Sequence, residues 1–139
     1  MIAVIRISGQ VDLSEGIKST LDRLRLRKKY TCVVLQENKE ISGMLKKVSQ
    51  YVAYGEIDDE MLKELIIKRG KLIGDKPIEA NSVTSLISKI KSGEFGNMKR
   101  FFRLQPPKKG FNKRSRILYP KGILGNNGKD IVLLLRRML

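Results

Sequence analysis

Residues 20 to 34 read TLDRLRLRKKYTCVV, a stretch that joins an amphipathic pattern to an apolar run through a cluster of basic residues. Asp12 stands three residues before Glu15, which is the spacing of a capping box at the start of a helix. The segment TCVVLQ (31 to 36) is short and rich in β-branched residues, which is typical of a strand. Apolar residues recur at helical spacing up to the basic cluster: Leu13, Ile17, Leu21 and Leu24. The stretch therefore predicts a helix, a basic turn and a strand.

The segments before and after this stretch can be interpreted in the same way. IAVIRI (2 to 7) and VAYGEI (52 to 57) are short β-branched runs that predict a first and a third strand. A second helix is predicted between strands two and three by apolar residues at helical spacing: Ile41, Met44, Leu45, Val48 and Tyr51. The order of elements in residues 1 to 57 is then β-α-β-α-β, and the fold class is α+β.

Three further helices are predicted after residue 57, each beginning at a residue that can cap it: Asp58 or Asp59, Asn81 or Ser82, and Asp130. Gly70 and Gly93 stand just past the ends of the first two, where glycine is favoured. We expect residues 1 to 57 to form a core domain. Residues 58 to 139 would be an extension, with helices in 58 to 98 and a basic arm with a terminal helix in 99 to 139.

The charge of the chain lies mainly in that last segment. The 139 residues carry a net charge of +15, of which +4 falls in residues 1 to 57, none in 58 to 98 and +11 in 99 to 139. Such a charge on a small protein opposes compaction unless a polyanion neutralises it. Nucleic acid is the favoured partner, because no helix combines the basic residues with the broad apolar face that membrane binding requires. The start of the chain, interrupted by Arg6, does not resemble a signal peptide, so we expect a cytosolic protein.

The chain lacks most of the residues on which enzymes commonly depend for catalysis. There is no histidine, and Cys32 is the single cysteine, which excludes zinc-finger spacing and a Cys-His nucleophile. Cys32 lies in an apolar run and is interpreted as a small buried hydrophobe. The segment GNNGKD (125 to 130) fails as a phosphate-binding loop, because Ile123 replaces its first glycine and Asp130 replaces its hydroxyl residue. We expect no enzymatic activity, no cofactor and no metal.

The basic cluster in the quoted stretch is denser than a helix end requires. Charge complementarity with the helix dipole accounts for one or two cations at about 0.3 to 1 kcal/mol each. Five basic residues occupy seven positions here, and phosphate contact is the favoured interpretation over a solvated surface: Arg23, Arg25, Arg27, Lys28 and Lys29.

Residues 95 to 129 contain no acid and hold all four phenylalanines. Pro106 and Pro107 favour extended geometry, so residues 103 to 108 are predicted to form a stiff arm. Phe111 lies among cations and could either stack on an unpaired base or anchor the loop to the protein. Three more apolar residues are predicted to dock on the protein: Phe101, Phe102 and Leu104.

Several segments resemble one known family. TLDRLRLRKKYTCVV (20 to 34) and GMLKKVSQYV (43 to 52) resemble the L-thirty family of large-subunit ribosomal proteins, whose eukaryotic members are called L-seven. Residues 1 to 57 match the whole short bacterial form. Three later segments resemble the longer form, in its archaeal version without a basic leader: ELIIKRGKL (64 to 72), FRLQPPKKGF (102 to 111) and NNGKDIVLLLRRML (126 to 139).

The sequence departs from the family at two loops. The family often has two glycines after the paired prolines, and Lys109 takes the place of the first. A Gly-Gly-Glu-Leu-Gly run is usual near the end, and here it is KGILG (121 to 125). Because glycine permits backbone geometry that lysine disfavours, the conformations at Lys109 and Lys121 are open.

The resemblance implies an antiparallel, somewhat ferredoxin-like core and a structural protein of the large ribosomal subunit in the cytoplasm. Its partners would be 23S-type ribosomal RNA and neighbouring ribosomal proteins. It also gives a reason for Gly43, which costs up to about 1 kcal/mol inside a helix and is explained by close RNA approach or tight helix packing. Besides the five cations above, the expected RNA-binding residues are these: Gly43, Lys46, Lys47, Arg100, Arg103, Lys108, Lys109, Phe111, Lys113, Arg114, Arg116 and Lys121.

Two alternatives remain from the residues themselves. One is a nucleic-acid-binding module outside the ribosome. The other is a metal-dependent nucleic-acid-modifying enzyme using Asp58, Asp59 and Asp75, although the acids around Asp58 are better explained as helix caps.

Overall fold

A computed structural model describes residues 1–9, 13–94, 96, 98–111 and 114–139. The strands are Ile2–Arg6 (β1), Thr31–Leu35 (β2), Val52–Glu56 (β3), Phe102–Arg103 (β4), Arg114–Leu118 (β5) and Gly122–Asn126 (β6). The helices are Glu15–Arg23 (α1), Lys39–Val48 (α2), Asp59–Arg69 (α3), Val83–Lys91 (α4) and Ile131–Met138 (α5). Within those ranges no helix has the length and apolar character needed to cross a membrane.

All six strands form one sheet in the order β4-β2-β1-β3-β6-β5. The central β1 is antiparallel to both β2 and β3, which confirms the predicted α+β class and its antiparallel β-α-β-α-β core. The C-terminal strands were not predicted. β4 adds to β2 antiparallel, β6 adds to β3 parallel, and β5 pairs with β6 in an irregular register. The proposed core and extension, whose boundary at residue 57 stays a prediction, thus contribute to a single sheet.

The sheet is covered on both faces. Alternate residues of β1 point to opposite sides: Ile2 and Val4 join the apolar cluster beneath α1 and α2, whereas Ala3 and Ile5 join the cluster beneath α3, α4 and α5. Every residue of β1 is buried. The nearly continuous apolar run at the start of the chain follows from this arrangement, because a strand covered on both sides has no solvent-facing positions.

Helix caps agree with the sequence at α3 and differ at α1. The Asp58 carboxylate accepts a hydrogen bond of 2.8 Å from the Met61 amide, as predicted. At α1 the cap is Ser14, whose hydroxyl accepts from the Ile17 amide at 3.4 Å. The predicted cap Asp12 lies outside the described residues, and Ser14 is the residue immediately before the first turn.

The starts of α4 and α5 lie where the sequence places them, but without the expected caps. Ser82 and Asp130 occupy the capping positions and make no side-chain bond to their helices. A short 3-10 turn precedes each helix. The Asp130 carboxylate instead accepts a hydrogen bond of 2.6 Å from the Tyr119 hydroxyl.

The segment predicted to be a stiff arm is docked on the protein. Phe102 and Leu104 are buried, which confirms their predicted docking. The amide of Gln105 donates to the carbonyl of Met138 at 3.0 Å, and the amide of Lys108 donates to that of Arg137 at 3.0 Å. The last carbonyls of a helix have no partner within it, so they hold the passing extended chain. The predicted stiff arm of residues 103 to 108 is therefore held against the end of α5.

Candidate nucleic-acid interface

The basic cluster of the quoted stretch is organised by the end of α1. The amide of Leu26 donates to the carbonyl of Leu21 at 2.9 Å, and the amide of Arg25 donates to that of Asp22 at 3.0 Å. This pair of bonds is a Schellman motif, which places its central residue in the left-handed region that glycine normally fills. Arg25 takes that position, with φ 63°. Leu24 and Leu26 are buried on either side of it, and Arg25 is exposed.

A buried arginine, Arg6, forms hydrogen bonds to this loop from the protein interior. Arg6 is 3% exposed, and its guanidinium donates to the carbonyls of Leu26 at 2.7 Å, Ser8 at 3.1 Å and Gly9 at 3.3 Å. Burial lowers the pKa of Arg6, and the charge of Asp22 raises it in partial compensation. Sequence reasoning treated Arg6 only as an interruption of an apolar run, whereas it ties β1 to the loop after α1.

The exposed side of the loop forms one wall of a pocket of about 270 Å³. The edge strand β4 forms the other wall, because Arg103 lies opposite Thr31 in the β2–β4 register. Four cations, one hydroxyl residue and one aromatic ring line the pocket: Arg25, Arg27, Lys28, Thr31, Phe101 and Arg103.

A second cavity of about 120 Å³ also borders β4. It shares Phe101 and Arg103 with the first, so the two cavities are adjacent. Its remaining lining comes from the end of α3 and the segments after it: Lys68, Arg69, Lys71, Asp75 and Lys99. We call the two cavities together the basic groove.

Asp75 is the single acid among the residues that line the basic groove. Its carboxylate accepts a hydrogen bond from Lys99. That bond and the charge of Lys99 lower the pKa of Asp75, with smaller contributions from the charges of Lys71 and Arg103. Lys71 and Arg103 therefore lie close enough to Asp75 to favour its ionised form, as Lys99 does.

Phe101 lies at the junction of the two cavities. Its ring is partly buried against the cluster beneath α1 and α2, which agrees in part with the predicted docking. Lys99 and Arg103 each approach the ring centre at 5.8 Å, near the outer limit of a cation–π contact. Successive side chains of a strand point to opposite faces, so Phe102 and Leu104 face the core while Phe101 and Arg103 face the groove. This alternation could have shown from the sequence that Phe101 does not share the environment of Phe102.

The groove gathers four of the predicted RNA-binding residues and adds cations that the sequence did not single out. Arg25, Arg27, Lys28 and Arg103 were predicted. From the sequence, no RNA contact was predicted for the other four cations, Lys68, Arg69, Lys71 and Lys99. Sequence reasoning missed them because the end of α3 meets β4 only in the folded chain.

Two predicted cations near the groove point elsewhere. Lys29 places its amine 5.0 Å from the ring centre of Tyr30. Arg23 borders a shallow depression beside Asp22 on the outer surface of α1. Their roles in RNA binding stay predictions.

The α2 group of predicted contacts forms a separate patch. Lys46, Lys47 and Gly43 are exposed. A side chain at Gly43 would meet nothing within 4 Å, so packing inside this chain does not require glycine there. Of the two explanations offered for Gly43, tight helix packing is excluded and close approach of a partner stays a prediction.

The loop of residues 105 to 111 places three more predicted residues on a third surface. The amide of Gly110 donates to the carbonyl of Pro107 at 3.0 Å, and Lys109 adopts φ 62°. Lys109 therefore adopts a left-handed conformation, which glycine adopts at lower cost. Lys108 is exposed, and Phe111 is half-buried with its ring centre 6.5 Å from that of Tyr30.

The remaining predicted residues are dispersed. Arg100 precedes β4 and is exposed, and Arg116 is exposed on β5. Arg114 begins β5, whereas Lys113 lies outside the described residues. Lys121 is exposed in the turn before β6, and its φ is not positive.

The acids of the enzymatic alternative have individual structural partners. Asp58 caps α3, Asp59 pairs with Lys91 at 2.6 Å, and Asp75 pairs with Lys99. In the part of the chain that the structure describes, no three His, Cys, Asp or Glu side chains come together as a metal site.

Comparison with known proteins gives a consistent result. A family model described as "Ribosomal protein L30p/L7e" matches residues 2–52. "Large ribosomal subunit protein uL30" of Archaeoglobus fulgidus is 39% identical over 99% of this chain and 99% of its own length. The protein of the same name from Aeropyrum pernix is 38% identical over 100% and 99%, and that from Pyrobaculum aerophilum is 37% identical over 99% and 93%. With such similarity along its whole length, the chain belongs to the L30p/L7e family of ribosomal proteins, as its resemblance to the archaeal long form predicted.

Proposed function

We propose that this protein is a non-catalytic structural constituent of the large ribosomal subunit that binds large-subunit ribosomal RNA of the 23S type in the cytoplasm. Binding is mostly to phosphates and to the shape of the RNA, because double-helical RNA hides its base edges in a deep, narrow groove. Neighbouring ribosomal proteins are further partners.

The observation that carries this proposal is the basic groove. Eight cations from three separate parts of the chain converge on the edge strand β4, and a single acid accompanies them. Helix dipoles do not require such a concentration, and it repels itself in the free protein. A nucleic-acid backbone compensates it, since its phosphates release bound counterions when they meet lysine and arginine.

Salt dependence is the primary test. If six or more phosphates are contacted, the affinity of the full chain for large-subunit RNA falls on the order of a thousandfold between 50 and 200 mM salt. Filter binding over that range measures it. A flat salt dependence contradicts the proposal.

A matched pair of triple variants assigns the binding to the groove. Arg25→Gln, Lys28→Gln and Arg103→Gln together remove three groove cations, and we expect the salt slope to fall by about three. Lys39→Gln, Lys63→Gln and Lys89→Gln remove the same charge from exposed positions on α2, α3 and α4 and leave the slope nearly unchanged. Equal losses in the two variants would show that net charge, not the groove, governs binding.

Co-sedimentation tests assembly. The chain is expected to remain with large ribosomal subunits through a high-salt wash. Its recovery only in the free fraction would contradict a structural role in the subunit. Duplex DNA compared with large-subunit RNA at matched salt separates this proposal from a general nucleic-acid-binding module.

A further inference from the structure

We propose that the larger cavity of the basic groove, the pocket between the α1–β2 loop and β4, holds one unpaired nucleotide. Its base stacks on Phe101 while its phosphates lie against the cations of the α1–β2 loop. This inference rests on the proposed function and goes beyond it, because it assigns a base contact where phosphate and shape recognition would need none.

The pocket has the size and lining of a site for a single nucleotide. Its volume of about 270 Å³ lies just below the roughly 300–1,000 Å³ typical of small-ligand sites. Such a volume excludes a duplex and admits one extruded residue. Phosphates alone would not need an aromatic wall, and an apolar ligand would not suit four cations.

Phe101 is available for stacking because of its place in the sheet edge. The side chains before and after β4 alternate, so burial of Phe102 and Leu104 leaves Phe101 and Arg103 on the groove side. Half-burial against the α1/α2 cluster fixes the ring, which reduces the entropy lost on binding. Unpaired bases commonly stack on such rings, because every base has a π-face.

The backbone of the facing loop supports a ligand role. Arg25 and Tyr30 both adopt φ 63°, a left-handed conformation that is strained for residues with side chains. Glycine would satisfy the Schellman geometry at position 25 at lower cost, yet a long cation occupies it and lines the pocket. Strain retained beside a binding cavity is an indication of function.

The two ring-flanking cations complete the site. Lys99 and Arg103, each 5.8 Å from the ring centre, are close enough to contact the phosphates of a nucleotide whose base stacks on the ring. Arg103 is exposed, and Lys99 is held by Asp75 in the absence of a partner. Binding therefore combines stacking with charge, and the two can be separated by their salt dependence.

The test uses the full chain, large-subunit RNA and two substitutions at one position. Phe101→Leu keeps apolar volume and removes the ring, so we expect RNA affinity to fall on the order of tenfold with an unchanged salt slope. Phe101→Trp keeps a stacking surface and restores the affinity. Because the chain contains no other tryptophan, Phe101→Trp also reports directly: a stacked base quenches its emission when RNA is added.

Each outcome has a defined meaning. If Phe101→Leu binds as tightly as the unaltered chain, or if the emission of Phe101→Trp does not change on binding, the site contacts phosphates only and the inference is wrong. Should Phe101→Leu fail to fold by thermal melting, the Phe101→Trp emission decides alone. Failure of the unaltered chain to bind RNA with a salt-dependent affinity would instead contradict the proposed function.

Discussion

Two basic loops of this protein are built alike and differ in one respect. The loop of residues 24 to 30 and the loop of residues 105 to 111 each place a basic residue in the left-handed region, Arg25 and Lys109. Each is also held by an arginine: Arg6 donates to the carbonyl of Leu26 in the first loop, and Arg137 donates to the carbonyls of Lys108 and Gly110 in the second.

The two arginines differ in how deeply they are buried. Arg6 is 3% exposed at the end of the central strand, whereas Arg137 lies half-exposed on the last helix. A hydrogen bond to a buried charge cannot be replaced by water when it is lost, but one at the surface can. The first loop is therefore part of the folded core, and the second is attached to its surface.

The largest effect is expected from breaking the first attachment. Arg6→Met leaves the buried carbonyl of Leu26 without its donor and removes the part-buried bonds to Ser8 and Gly9, and we expect a loss of roughly 2–4 kcal/mol in the free energy of unfolding. Urea denaturation followed by circular dichroism measures it. A loss under 1 kcal/mol would mean that water enters beneath the loop and that the two loops are equivalent.

Breaking the second attachment gives a smaller effect. Arg137→Met removes the bonds to the carbonyls of Lys108 and Gly110, and we expect a loss of roughly 0.5–1.5 kcal/mol in the free energy of unfolding because solvent reaches both carbonyls.

Cys32 supplies an independent measurement of unfolding for both variants, since burial raises the pKa of its thiol to about 12 and alkylation at pH 8 requires unfolding. Alkylation should accelerate far more in Arg6→Met than in Arg137→Met; equal acceleration would remove the distinction.

Substitution by glycine at the two left-handed positions, Arg25 and Lys109, distinguishes an effect on folding stability from an effect on RNA binding. Arg25→Gly and Lys109→Gly each relieve a left-handed side-chain clash, and each should raise the free energy of unfolding by up to about 1 kcal/mol. Arg25→Gly should also lower the magnitude of the RNA salt slope by about one, because the basic groove loses a cation. If Arg25→Gly stabilised the fold without weakening RNA binding, Arg25 would have no role in the groove.

The smallest effect concerns the groove's acid. Asp75→Asn frees Lys99, and we expect affinity for RNA at low salt and pH 7 to rise roughly threefold, within the range of surface ion pairs. Asp59→Asn is the matched control, since Asp59 pairs with Lys91 at the opposite end of α3. Because Lys99 lowers the pKa of Asp75, the carboxylate's effect persists below its ordinary pKa and disappears only as pH falls through the lowered value. A rise in the control of the same size would indicate a general charge effect.

Most of the regular elements could be predicted from periodicity, and the exceptions have physical reasons. β1 to β3 and the five helices carry apolar patterns, and side chains cap α1, α2 and α3. β4 has only two residues, too few for a pattern, and β6 contains two glycines. These strands exist because the open edges of β2 and β3 offer unpaired backbone groups, which is information about the fold and not about the segments themselves.

The site was predictable to a similar extent. The cations of the α1–β2 loop stood out by density, and Arg103 by its place in an acid-free segment. Lys68, Lys71 and Lys99 are ordinary surface lysines in the sequence and enter the groove only because α3 ends beside β4.

By itself, then, the sequence determined the alternating elements, the excess of positive charge and the family, because these depend on local spacing and residue type. Only the tertiary structure decided that the basic C-terminal segment folds onto its own sheet, that Lys109 adopts a left-handed turn, and that Phe101 joins cations from three segments in one groove. Those outcomes depend on strand pairing and helix ends brought together from distant parts of the chain, which no local pattern records.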